Sequence, residues 1–271
     1  MKYLITNADD YGWGRDISRG IIKSHREGIL SSASVIVNEI DDESLSLAKS
    51  TPSLGLGLHL NIATGKSIGG DWVGKYGKFK HPERPASEAH HSQTLWNNFY
   101  SRYAPEDIYQ EFELQLERFN CIFGKYPDHI DTHYNTYSVR DVFSAYKRLA
   151  IKYALPARHP VGYTNGSDFT SSTSELRLCE DFAKKLKSSG VVMTTYYSLE
   201  YINLHKDHKS AILTEIEKID DGESIEISFH PGFREEWRRA QVDILTDPEL
   251  KNILDENNVK VINYSQLYEI T

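Results

Sequence analysis

Tyr3-Leu4-Ile5-Thr6-Asn7-Ala8-Asp9-Asp10-Tyr11-Gly12 begins with a short apolar run and passes at once into polar residues. The run reads as a first strand over Tyr3 to Thr6, with a polar cluster at its end. The same plan repeats along the chain. Further strand candidates are Ala33 to Val37, Leu54 to Leu60, His129 to Thr132, Leu155 to Arg158, Val191 to Thr195, Ser224 to Phe229 and Val259 to Ile262. Helical patterns fall between them at Asp16 to Glu27, Asp41 to Lys49, Pro105 to Phe123, Val139 to Tyr153, Ser174 to Ser188, Lys206 to Glu217 and Asp247 to Glu256. Gly28, Gly124 and Gly190 each follow a helix, where a left-handed cap is expected. Alternation of this kind requires a parallel sheet, and about eight units suggest closure. The expected fold is α/β: a distorted TIM-like (β/α) barrel of seven to eight strands, with residues 1–271 forming one domain.

Thr64 to Ala104 breaks the rhythm. It is rich in Gly, Lys, His, Pro and aromatic residues and has no clear period. An insertion this long is expected to be a lid, a substrate-binding loop or a dimer contact, so a homodimer is one expectation.

The chain has 271 residues, a formal charge of −8 and 39% hydrophobic residues. A mean hydropathy of −0.52 fits a soluble protein with a sizeable core. The acidic balance argues against a nucleic-acid surface. No stretch reaches the roughly 18–20 apolar residues of a membrane span. The N-terminus turns polar too early for a secretory signal. Cys121 and Cys179 are too few for a disulfide scaffold and read as structural thiols of a cytoplasmic protein.

The chemistry-bearing residues sit where strands end, which in a barrel is the face that holds the active site. Asp9 and Asp10 follow the first strand. Two adjacent carboxylates are buried only where a cation or donors compensate them, and a turning chain would let both reach one site. His59 closes Gly55-Leu56-Gly57-Leu58-His59-Leu60-Asn61. His133 closes His129-Ile130-Asp131-Thr132-His133, where Asp131, two residues back, could accept the second imidazole proton. One carboxylate and two histidines make a facial triad for a divalent metal: Zn²⁺, Mn²⁺, Fe²⁺, Co²⁺ or, less comfortably, Mg²⁺. His230, before Pro231-Gly232, could be a further ligand or a general acid. Arg158 ends another strand and could hold a carboxylate or polarise a substrate. Each of these residues alone has a plainer reading as a turn, core or surface residue.

His25, His81, His90, His91, His159, His205 and His208 read as surface or loop. Tyr11, Trp13, Trp72, Tyr134, Tyr137, Phe233 and Trp237 lie in or beside the candidate loops, and aromatic faces flanked by polar groups suit sugar rings. Arg234, Arg238 and Arg239, interleaved with Glu235 and Glu236, read as a solvated helix face.

Asn7-Ala8-Asp9-Asp10-Tyr11-Gly12, Gly57-Leu58-His59-Leu60, Asp131-Thr132-His133 and His230-Pro231-Gly232 together resemble the YdjC-like carbohydrate deacetylases, which include chitooligosaccharide deacetylase. The matching blocks run in family order from residue 3 to about residue 233. The resemblance implies a distorted (β/α) barrel that removes acetyl groups from N-acetylated sugars or oligosaccharides with one divalent metal ion. It implies Asp10, His59 and His133 as metal ligands, Asp9 as base, His230 as acid, and an arginine near the site at Arg158. Tyr11, Asn61, Asp131, Asn135, Tyr137 and Phe233 are the expected substrate contacts. Asn135 and Tyr137 stand where the family usually carries further histidines. An amidase or esterase acting on a non-sugar substrate and a catalytically silent sugar-binding protein are the two competing readings.

Overall fold

The computed structural model describes residues 1–82, 93–161, 173–198 and 207–270. His90, His91, His205, Lys206 and residues 83–92 of the insertion lie outside them.

Among the described residues seven strands form one sheet, with every pairing parallel. They are β1 (Lys2–Tyr11), β2 (Ser32–Val35), β3 (Gly55–Leu60), β4 (Ile130–Thr132), β5 (Tyr196–Ser198), β6 (Ser224–Phe229) and β7 (Val259–Val261). Their order is β4-β3-β2-β1-β6-β5. The curled sheet forms a half-barrel with helices around it, as the alternation of strand and helix patterns predicts. β7 joins the first half of one β1 edge, through Lys2 to Leu4, and β2 joins the second half through Asn7 to Tyr11.

Two predicted strands are looser than expected. Leu155 to Arg158 makes only an isolated bridge, Ile130 with Ala157. Val191 to Thr195 is irregular, and the strand forms next to it at Tyr196–Ser198. Backbone bonds still span this side of the ring. Arg158 N–H donates to Ile130 O at 3.0 Å, and Ala157 N–H donates to Val192 O at 2.9 Å.

The helices are α1 (Arg15–Glu27), α2 (Asp42–Lys49), α3 (Trp72–Tyr76), α4 (Gln93–Tyr100), α5 (Pro105–Phe123), α6 (Arg140–Lys152), α7 (Thr173–Ser188), α8 (His208–Ile216), α9 (Glu236–Leu245) and α10 (Pro248–Glu256). Among the described residues none is long and apolar enough to cross a membrane. Gly124 and Gly190 take positive φ, as expected. Gly28 does not, with φ −141°. Its requirement is space, because a Cβ there would lie 1.9 Å from Leu245 O.

The described parts of the insertion build α3 and α4. Their aromatic residues join the main core through Trp72, Phe79, Trp96, Phe99 and Tyr100.

Candidate metal centre

The first strand does not end at Thr6. It runs to Tyr11 and slips register between Ala8 and Tyr11, where three steps on β1 match two on β2. Asp10 carries the irregularity with φ 72°, a conformation that side chains with a Cβ rarely adopt. In a regular strand Asp9 and Asp10 would face opposite sides. The bulge turns both toward one place, and both are buried.

Asp10 Oδ1 lies 3.2 Å from His133 Nδ1 and 3.7 Å from His59 Nε2. The other ring nitrogen of His59 is 2.7 Å from Asp131 Oδ1. Asp131 therefore serves the histidine of the neighbouring strand and not His133, because β3 and β4 pair His59 directly with Asp131. His133 starts an irregular, kinked segment, His133–Ser138, in which Tyr134 and Asn135 both take positive φ.

Arg158 is fully buried and touches three carboxylates. It meets Asp9 with two bonds of 2.9 and 2.6 Å, Asp131 Oδ2 at 2.9 Å and Glu226 Oε1 at 2.7 Å. Asn7 Nδ2 donates to Asp9 Oδ1 at 3.0 Å and to Ser34 Oγ at 2.8 Å. Ser34 in turn donates to Asp131 at 2.7 Å. Arg158 thus sits below the site holding carboxylates, the first of its two expected roles.

His230 follows β6 with Nε2 3.8 Å from Asp9 Oδ2. Its loop crosses α1 where Gly20 meets Gly232, and a Cβ on Gly20 would lie 2.7 Å from Gly232 Cα. Side chains of α9 hold the loop from the other side. Gln241 accepts from His230 N–H, and Arg238 donates to His230 O at 3.2 Å.

The four expected polar centres, Asp9, Asp10, the His59–His133 pair and His230, come together. The other predicted contacts divide. Tyr11 is buried and donates its hydroxyl to Ser44 O at 2.6 Å, so it is a core residue and not a substrate contact. Tyr137 is likewise buried, with its hydroxyl accepting from Thr132 N–H. Asn61 caps its own loop by accepting from Ala63 and Thr64 N–H. Asp131 is enclosed by His59, Ser34 and Arg158. Asn135 accepts from Tyr197 OH at 3.2 Å. Phe233 lies 38% exposed beyond the loop.

Arg238, predicted on a solvated face, is buried instead. Nη2 lies 2.9 Å from Asp10 Oδ2, with the guanidinium 4.5 Å from the Trp237 ring centre. Its signal in the sequence is the stripe Arg238, Gln241, Val242 and Leu245, the inward face of α9.

Four buried carboxylates, Asp9, Asp10, Asp131 and Glu226, face two buried guanidiniums, Arg158 and Arg238. Burial pushes the Asp10 carboxyl up, yet His133, then His230 and Arg238, hold it well below the usual carboxylate range. Burial also opposes a charged His59, but Asp131, with Asp9 and Asp10 behind it, raises its pKa above the ordinary value. His133 and His230 are lowered by burial. Asp10 Oδ1 and His133 Nε2 are buried without a good hydrogen bond. An anionic oxygen short of donors, beside two imidazoles, fits a divalent cation. Asp10, His59 and His133 offer ligand atoms within 4.8 Å of one another, and Asp9, His59 and Asp131 form an overlapping group.

Residues 3–256 match the family described as YdjC-like protein. Carbohydrate deacetylase 2 of Listeria innocua serovar 6a is 31% identical over 97% of this chain and 98% of its own length. Chitooligosaccharide deacetylase of Proteus mirabilis is 26% identical over 97% and 98%. A crystal structure of an Enterococcus faecalis V583 protein superposes with a TM-score of 0.77, at 25% identity and 98% coverage of both chains.

Proposed function

The chain belongs to the YdjC-like protein family, and from that premise we propose that it is a metal-dependent hydrolase that removes an acetyl group from an N-acetylated sugar or oligosaccharide. The observation that most supports the reading is the cluster Asp10, His59 and His133 with Asp9 and His230 at its edge. The names of the Listeria innocua and Proteus mirabilis relatives support the substrate class.

Asp10, His59 and His133 would hold the metal ion. When bound, the ion supplies Lewis acidity, polarising the acetyl carbonyl and acidifying water. Asp9, gripped by Arg158 and Asn7, is the base that takes a proton from the attacking water. His230 is the acid that gives a proton to the departing amine nitrogen. Burial favours the neutral imidazole in the resting site. The 3.8 Å between His230 Nε2 and Asp9 Oδ2 puts His230 beside the base, so the proton gained at Asp9 passes to His230 before His230 gives it to the amine. Water and amide thus become acetic acid and amine, with one proton moved from oxygen to nitrogen, and the acid then releases its remaining proton to give acetate.

Trp13 stands edge-on to His133 at 5.1 Å, and Trp237 lies 6.1 Å from His230. Their faces suit sugar rings. The insertion forms one wall: Trp96 packs 4.9 Å from Tyr134, and Tyr100 OH lies 3.4 Å from Thr136 Oγ1. Asn135 and Tyr137, in place of histidines, leave the Asp10, His59 and His133 cluster intact, which weighs against a silent binding protein.

The test is acetate release from mono-, di- and longer N-acetylated sugars, with simple acyl amides beside them, under Zn²⁺, Mn²⁺, Co²⁺ and Mg²⁺. Release from the sugars, abolished by chelation, is expected. Turnover of the simple amides alone would replace the sugar substrate with a general amide.

A further inference from the structure

The interior of α9 carries a cation where a cation is least expected. Arg238 is only 5% exposed, and its Nη2 lies 2.9 Å from Oδ2 of Asp10. By charge alone a guanidinium there opposes the binding of a metal ion to Asp10. Three observations describe what it does instead. Its second nitrogen, Nη1, donates to His230 O at 3.2 Å, so one planar group joins the carboxylate of β1 to the backbone of the β6 loop. Asp10 sits at φ 72°, a strained position that its surroundings must hold in place. With Oδ2 occupied, Oδ1 is the oxygen left facing His59 and His133.

We propose that Arg238 is a positioning residue that aims a single oxygen of Asp10 at the metal position and locks the His230 loop to it. This rests on the reading of Asp10, His59 and His133 as the metal site. A bridge of this kind needs the fixed fork of arginine, because the ammonium of lysine is a point charge that cannot span both acceptors in one plane. The flanking Trp237 ring at 4.5 Å and the burial of the α9 stripe keep the fork from swinging out.

Arg238→Lys and Arg238→Met separate bridge from charge. Zn²⁺ affinity of the full chain is measured by competition with a chromophoric chelator. The melting temperature in excess chelator reports the fold independently of metal. A lost outer partner of a ligand typically weakens metal binding by about 10- to 100-fold. Both variants are expected to show a loss of that size. Arg238→Lys, which keeps the charge, is expected to melt in chelator close to the parent, and Arg238→Met, which leaves Asp10 without that partner, to melt lower. Parental affinity in Arg238→Lys, or a gain in Arg238→Met, would assign Arg238 to charge alone and overturn the proposal. Should Arg238→Met fail to fold, Arg238→Lys decides by itself. A parent chain that binds no Zn²⁺ removes the metal site first, which is a different failure.

Discussion

Arg158 holds Asp9 by both carboxylate oxygens, at 2.9 and 2.6 Å, while the same guanidinium reaches Asp131 and Glu226. All four side chains are buried, and their charges are compensated only together. Breaking a buried ion pair from one side typically costs about 3–5 kcal/mol, because the partner stays behind uncompensated. Arg158→Met is expected to lose stability of that order, measured by denaturant unfolding at neutral pH. A variant within about 0.5 kcal/mol of the parent would show that the carboxylates do not depend on this cation.

Asp9 is separable from the proposed metal ligands. Its oxygens are bound by Arg158 and Asn7, and it lies beside, not within, the Asp10, His59 and His133 set. Asp9→Asn is expected to bind metal as the parent does and to lose about 10²–10⁴-fold in turnover, the usual size of a general-base contribution. Metal content and acetate release on the same preparation check it. Near-full turnover would remove Asp9 as the base.

Asp131 acts through His59. Its Oδ1 is 2.7 Å from Nδ1, which fixes the ring so that Nε2 faces Asp10. Asp131→Asn is expected to weaken Zn²⁺ binding by about 10- to 100-fold. Chelator competition reads this directly, and unchanged affinity would leave Asp131 a purely structural residue.

The parts of this protein legible from its sequence are those fixed by local pattern. Strand ends repeat a motif, so Asp9, Asp10, His59, His133 and His230 stand out, and Pro105–Phe123 and Ser224–Phe229 have the predicted bounds. What stayed hidden depends on neighbours distant in the chain. The bulge at Asp10 exists because β1 must match β2, and nothing within the decapeptide announces it. Asp131 turns to His59 because β3 and β4 align those two residues. Tyr11 and Tyr137 lie among site motifs, yet their hydroxyls find backbone partners in the core. Arg238 reads as a surface charge because its flanks are charged, while the i, i+3, i+4, i+7 stripe it starts points inward.

His159, expected at the surface, is largely enclosed, and burial lowers its imidazole to about 4 from the ordinary 6.5. Lys187 adds to that lowering, and the backbone of Val161 partly opposes it. Val161 N–H donates to Nδ1 at 3.2 Å, a bond that requires this nitrogen to be unprotonated. A depressed histidine pKa means that the folded state prefers the neutral ring while the unfolded chain takes up the proton first. Its contribution to stability is therefore fully present above about pH 6.5 and is lost as the pH falls toward 4. Each tenfold difference in proton affinity between the two states is worth about 1.4 kcal/mol, so the loss reaches at most ~3.5 kcal/mol. His159→Gln keeps an acceptor near Val161 and cannot titrate. Unfolding free energies of the two proteins, measured at intervals from pH 7 to 4, are expected to converge as the pH falls, with the parent losing more. Parallel profiles over that range would show that His159 titrates alike in the folded and unfolded chains.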